Sequence, residues 1–82
     1  MKKIGFIILI ILIGTAVRAD HNLHLFNQAT QLYEQGDYAE AAGQYEAIIA
    51  DGHVSWEVYY NLGNCYYKTG EIGKSILNYE RA

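Results

Sequence analysis

The side chains best equipped for chemistry in this sequence are few: His21, His24, His53 and the single cysteine Cys65. His21 and His24 stand one helical turn apart, a spacing that lets both rings reach one metal ion. Structural zinc takes four protein ligands and catalytic zinc three, and His53 falls in a distant loop. If Asp20 becomes a new N-terminus, His21 is second, not third as the amino-terminal copper and nickel motif requires. Solvated or capping histidines are the ordinary reading, so no metal and no other cofactor is expected. Cys65 has neither a basic neighbour nor a helix N-terminus to activate its thiolate. It reads as a small buried packing residue, with an intermolecular disulfide as the alternative. Ser55 and Ser75 are accounted for by a helix cap and a packing position, and the nine carboxylates are spread over exposed helix faces. No nucleophile, base and orienting group assemble, and no glycine-rich phosphate loop follows a strand. The segment is expected not to be an enzyme; its alternative role in that class is to precede a catalytic domain of a larger envelope enzyme.

The elements that position these residues begin with a leader. Lys2 and Lys3 precede an apolar run from Ile4 to Ile13, followed by Gly14-Thr15-Ala16-Val17-Arg18-Ala19. A charged start, an apolar middle and a small-residue exit make a secretory signal peptide over residues 1–19, cleaved after Ala19. As a helix, the stretch from Ile4 to Val17 spans about 21 Å against a hydrocarbon core of about 30 Å, short for a membrane span. An uncleaved anchor that thins the bilayer locally is the rival reading. Either way the rest is expected to be exported, to the periplasm or to the periplasmic side of the inner membrane, with possible membrane association. From residue 20 onward Lys68, Lys74 and Arg81 face nine carboxylates, a net charge of 3 minus 9, or −6. Such a surface repels phosphate backbones, which excludes nucleic acid as a partner. One cysteine gives the exported part no internal cross-link.

Residues 20–82 nearly repeat themselves at an offset of 34 positions. Asn27, Tyr33, Gly36, Tyr45 and Glu46 return as Asn61, Tyr67, Gly70, Tyr79 and Glu80, and Gly36-Asp37-Tyr38 returns as Gly70-Glu71-Ile72. A period of this length signals stacked units that bury their apolar faces against one another. The apolar spacing predicts a first helix over about 22–35, closed by Gly36, with Asp37 as a helix-starting carboxylate. A second helix is expected over about 38–50, with Tyr38, Ala41, Ala42, Tyr45, Ile48 and Ile49 on one face. Asp51-Gly52-His53 reads as a loop, Ser55 caps a third helix that runs to about Thr69, and Gly70 separates it from a fourth starting near Ile72. Ala29, Ala41, Gly63, Ser75 and Ala82 are the small residues expected at the helix crossings, with Tyr66 and Tyr79 filling the space beside them. The boundaries are therefore a first repeat over about 22–53 and a second over about 54–82, cut short in its second helix. Ala82 has no stop signal after it. The expectation is an N-terminal part of a longer protein, or an end covered by another chain.

Tyr59-Tyr60-Asn61-Leu62-Gly63-Asn64-Cys65-Tyr66-Tyr67-Lys68-Thr69-Gly70-Glu71 resembles the first helix and turn of a tetratricopeptide repeat. Ser75, Tyr79 and Ala82 match the small-aromatic-small positions of its second helix. The first repeat departs from the pattern at Gln28 in place of leucine, Ala29 in place of glycine and His53 in place of a closing proline. The resemblance implies an all-α fold of antiparallel helix hairpins stacked as a short α-solenoid, behind the signal-peptide helix. More narrowly, the wording from Tyr59 through Ala82 behind a signal sequence resembles the BatE-type tetratricopeptide proteins of the Bacteroides aerotolerance system. That resemblance implies von Willebrand factor A-type envelope proteins as partners.

In this family the first helix of each pair makes the inner, ligand-facing surface. Carried over by position, that surface comprises Phe26, Thr30 and Tyr33 from the first repeat and Tyr60, Asn64, Tyr67 and Lys68 from the second. Aromatic faces beside an amide and a lysine suit an extended peptide or protein segment; the alternative is that some of these rings pack against the neighbouring repeat. A related subclass clamps a C-terminal carboxylate with lysines, an arginine and asparagines. Asn64 resembles one of those asparagines, but Phe26 stands where the first lysine is needed. The implied function is an exported protein-protein interaction scaffold whose partner segment is neutral or basic. A self-assembling element joined through the open C-terminal repeat is the other reading.

Overall fold

A computed structural model describes residues 21–82. The expected leader lies outside the described residues. Four helices account for nearly all of the described chain: α1 over 21–34, α2 Tyr38–Ala50, α3 Trp56–Thr69 and α4 Ile72–Arg81. These match the helices expected from the apolar spacing to within a residue or two. No described residue is in a strand.

The turns follow from local chemistry. At the end of α1, Gly36 adopts φ 87°, and the Gly36 and Asp37 amides donate to the carbonyls of Tyr33 and Leu32 at 3.0 and 2.9 Å. The same closure recurs after α3, where Gly70 has φ 84° and the Gly70 and Glu71 amides donate to Tyr67 and Tyr66 at 3.2 and 2.9 Å. Both positions need the left-handed backbone that a Cβ disfavours. The Ser55 hydroxyl accepts from the Val58 amide at 3.4 Å, so it caps α3 as its position suggests. Asp37 corrects the expectation of a carboxylate cap: it occupies the N-cap position of α2, but its side chain makes no capping hydrogen bond. Glu71, its counterpart before α4, also leaves the amides uncapped. Its carboxylate instead accepts from the Thr69 hydroxyl at 3.1 Å and meets Lys74 Nζ at 3.3 Å. That ion pair is exposed and contributes little.

The core is one continuous cluster: Ala29 from α1, Ala41, Ala42, Tyr45 and Ile48 from α2, and Val58, Leu62, Cys65 and Tyr66 from α3. Leu25, Phe26, Leu32, Tyr33 and Ile49 pack against it, half-buried. Each fully buried large aliphatic side chain contributes about 1.5–3 kcal/mol. Because α3 packs on both α2 and α4, it is the element that joins the two hairpins.

Small residues set the crossings. Ala29 and Ala41 are fully buried in the first hairpin. In the second, a Cβ on Gly63 would lie 2.7 Å from Cδ1 of Tyr79, so the ring lies directly on the glycine backbone. Ser75 does more than fill space: its hydroxyl donates to the Gly63 carbonyl at 2.9 Å, a buried bond that ties α4 to α3. Ala82, expected at this crossing, is exposed.

Candidate functional site

Three residues from the two helices of one hairpin form a constellation, and the chain builds it twice. In the first repeat Thr30 Oγ1 donates to the Phe26 carbonyl at 3.0 Å, which leaves its lone pairs to accept from the Tyr45 hydroxyl at 2.9 Å. The Phe26 ring meets Tyr45 edge-on at 5.6 Å between centroids. In the second repeat the Tyr79 hydroxyl donates to Asn64 Oδ1, and the Tyr60 ring packs on Tyr79 at 5.8 Å. Phe26, Thr30 and Tyr45 thus correspond to Tyr60, Asn64 and Tyr79 at the sequence period of 34.

The two copies differ in exposure. Tyr45 is 1% exposed and Tyr79 37%. Burial pushes the Tyr45 hydroxyl above its ordinary pKa, while its hydrogen bonding with Thr30 and Asn61 pulls the other way. Tyr45 is sealed because α3 lies over α2. Among the described residues no helix does the same for Tyr79.

Between α1 and α3 lies a small depression of about 70 Å³, lined by Thr30, Tyr33, Tyr45, Asn61 and Asn64. Its polar wall of three hydroxyls and two amides offers both donors and acceptors. Tyr33 borders it, half-buried and edge-on to Tyr38 at 5.0 Å, its hydroxyl pushed up by burial and then by Tyr38. Tyr60 and Tyr67, on α3, are 49% and 61% exposed. Lys68 Nζ stands 5.9 Å over the Tyr38 ring and is exposed.

The structure therefore brings together Thr30, Tyr33 and Asn64 around one depression, whereas Tyr60, Tyr67 and Lys68 are exposed on α3 and do not line it. It does not bring Phe26 there as a free surface: that ring is half-buried against Tyr45 and the core. Thr30 keeps little capacity for a ligand, since Phe26 and Tyr45 already occupy its hydroxyl. Sequence reasoning missed Tyr45 and Asn61. Both recur at the repeat period, as Tyr79 and as the partner of Asn27, and that recurrence was the available signal. It also missed an apolar groove of about 260 Å³ between α2, α3 and α4, floored by Ile49, Leu62, Tyr66 and Leu77 and edged by Lys74 and Arg81.

Among the described residues no group of three His, Cys, Asp or Glu side chains lies close enough to hold a metal ion. Cys65 is fully buried, and burial raises its thiol to about 11. Among the described residues no helix is long and apolar enough to cross a membrane. Residues 26–82 match the tetratricopeptide repeat family. No curated protein and no solved structure matches the chain.

Proposed function

Because the chain belongs to the tetratricopeptide repeat family, whose repeats mediate protein-protein interaction, we propose that it is an exported, non-catalytic scaffold that holds a neutral or basic segment of a partner protein along α3. In this reading it works at the envelope as part of a membrane-associated complex of the aerotolerance type, with von Willebrand factor A-type proteins as partners. The observation that carries the binding surface is the stripe of Tyr60, Asn64 and Tyr67. These positions follow one another at helical spacing on α3, two exposed rings on either side of an amide whose nitrogen remains free to donate. Exposed tyrosines provide contact area at low entropic cost.

Charge supports the choice of partner. Residues 21–53 carry Glu34, Asp37, Glu40, Glu46 and Asp51 and no lysine or arginine. A partner segment rich in carboxylates would be repelled as it approached α1 and α2. The composition of residues 1–19, a basic start ahead of an apolar run, supports export.

The test is recovery of a partner from envelope extracts. A Tyr60→Ala/Tyr67→Ala double variant is expected to lose at least about tenfold of what the parent captures, because truncated aromatic anchors cost about 2 kcal/mol or more each. Equal recovery would remove the α3 stripe from consideration. Mass spectrometry of the mature N-terminus tests export separately: a chain beginning at Asp20 is the expected result.

A further inference from the structure

We propose that the groove between α2 and α4 docks a partner segment that presents an aliphatic side chain with a carboxylate beside it. This surface shares no residue with the α3 stripe, and the proposal does not depend on the partner-binding reading above.

The groove has a floor and two walls, all within the described residues, so it is not an end face of the stack. Ile49 from α2, Leu62 and Tyr66 from α3, and Leu77 from α4 make its apolar surface. Lys74 and Arg81 stand three residues before and four after Leu77, on the same side of α4, and edge the groove there.

The repeat shows that this surface is not a by-product of hairpin packing. At the period of 34, Gln28, Leu32 and Gln44 correspond to Leu62, Tyr66 and Asn78, and with Gln31 and Gln35 they line a depression of about 180 Å³. The first hairpin is polar where the second is apolar. Leu77 corresponds to Gly43, where an added Cβ would meet nothing within 4 Å. The first hairpin therefore closes with no side chain at this place, whereas the second carries a leucine that is 43% exposed. Lys74 and Arg81 correspond to Glu40 and Ala47. An exposed leucine between two cations is thus peculiar to the second hairpin.

Size and charge identify the occupant. At about 260 Å³ the groove is smaller than the roughly 300–1,000 Å³ of drug-sized ligand sites, and it takes one or two side chains of a longer segment. Residues 21–82 carry eight of the nine carboxylates, all but Asp20, and only three cations, Lys68, Lys74 and Arg81. Two of those three edge this groove, so it is the part of an acidic surface that an anion can approach. Lys74 Nζ lies 5.3 Å over the Tyr66 ring, beside the groove floor. Its pairing with Glu71 is exposed, and an incoming carboxylate replaces it at little cost. Among the described residues Arg81 makes no ion pair, and a guanidinium takes a carboxylate through two parallel N–H donors. Glu46 stands on the α2 side. It repels a carboxylate there and confines the acidic group to the α4 edge.

The experiment is selection of a random twelve-residue peptide library, displayed on phage, against the full chain. Enriched sequences are expected to combine leucine, isoleucine or methionine with an aspartate or glutamate within four positions. A synthetic peptide of the enriched sequence should bind Leu77→Ala about fivefold more weakly than the parent. Leu77 lies outside the buried cluster, so helical circular dichroism should not change. Arg81 is exposed, so Arg81→Gln gives a second reading that does not touch packing. On the parent, the peptide should bind about threefold more tightly than its analogue with the acid replaced by the amide, and on Arg81→Gln that preference should vanish. Enrichment of sequences without a carboxylate, or a preference for the acid that survives Arg81→Gln, would overturn the proposal. So would peptides that Tyr60→Ala/Tyr67→Ala loses and Leu77→Ala retains, a result that would leave the α3 stripe standing. No enrichment over an uncoated surface would overturn it outright.

Discussion

Alkaline pH should loosen this fold through Cys65. The thiol is fully buried between α2 and α3, and desolvation raises it from 9.0 to about 11. The folded state holds this proton more tightly than the unfolded chain does. Stability from the group is therefore complete below pH 9 and is lost as the pH climbs through the folded value. Integrating the shift between pH 8 and pH 10.5 gives a loss of about 1.8 kcal/mol, a large share of the stability of so small a domain. Tyr33 and Tyr45 are also raised by burial and act in the same direction at higher pH. A Cys65→Ala variant separates the contributions. It should cost about 1 kcal/mol at neutral pH for the volume lost, yet lose about 1.8 kcal/mol less than the parent between the two pH values. Urea melts followed by helical circular dichroism at pH 8 and pH 10.5 measure both. Parallel pH dependence in parent and variant would refute the reasoning, because it would mean that the thiol titrates alike in folded and unfolded chains.

Further outcomes follow from the crossings and turns. Ala41→Leu should overpack the fully buried crossing of the first hairpin and cost about 1–3 kcal/mol in a chemical melt. Tyr45→Phe removes the hydroxyl that bonds Thr30 and should cost about 1 kcal/mol. Tyr79→Phe, with its more exposed counterpart bond to Asn64, should cost less in the same melt. Gly70→Ala forces a Cβ into φ 84° and should lower stability by about 1–2 kcal/mol. Gly43→Ala, within α2 where an added Cβ meets nothing within 4 Å, should raise it by about 0.5–1 kcal/mol. A shared sign for the last two would contradict the backbone argument.

What was legible in the sequence was local or periodic. Gly36 and Gly70 announce their turns because few other residues tolerate the left-handed backbone, and Ser55 announces α3 because its hydroxyl reaches an amide three residues on. The apolar spacing of α2 told which side faces inward, since a helix of this length owes its stability to that side. Asp37 misled for a physical reason: residue type permits a cap, but the rotamer and the N-cap dihedrals decide it, and neither is written in composition. The candidate site was legible in its α3 half. Tyr60, Asn64 and Tyr67 share a stripe fixed by one helix, whereas the fate of Phe26 and Thr30 depends on Tyr45, which arrives from the next helix.

The contrast between Tyr45 and Tyr79 shows where sequence information ends in a repeat. The two residues occupy the same period and send a hydroxyl to the same position of the preceding helix. One is sealed and the other is more than a third exposed. Nothing in either residue or its hairpin accounts for the difference; α3 covers one, and no described helix covers the other. In a quasi-one-dimensional stack the energy of each unit is its own plus that of its neighbour. The exposure of an aromatic in such a stack is therefore set by the neighbouring helix and not by the residue's own hairpin.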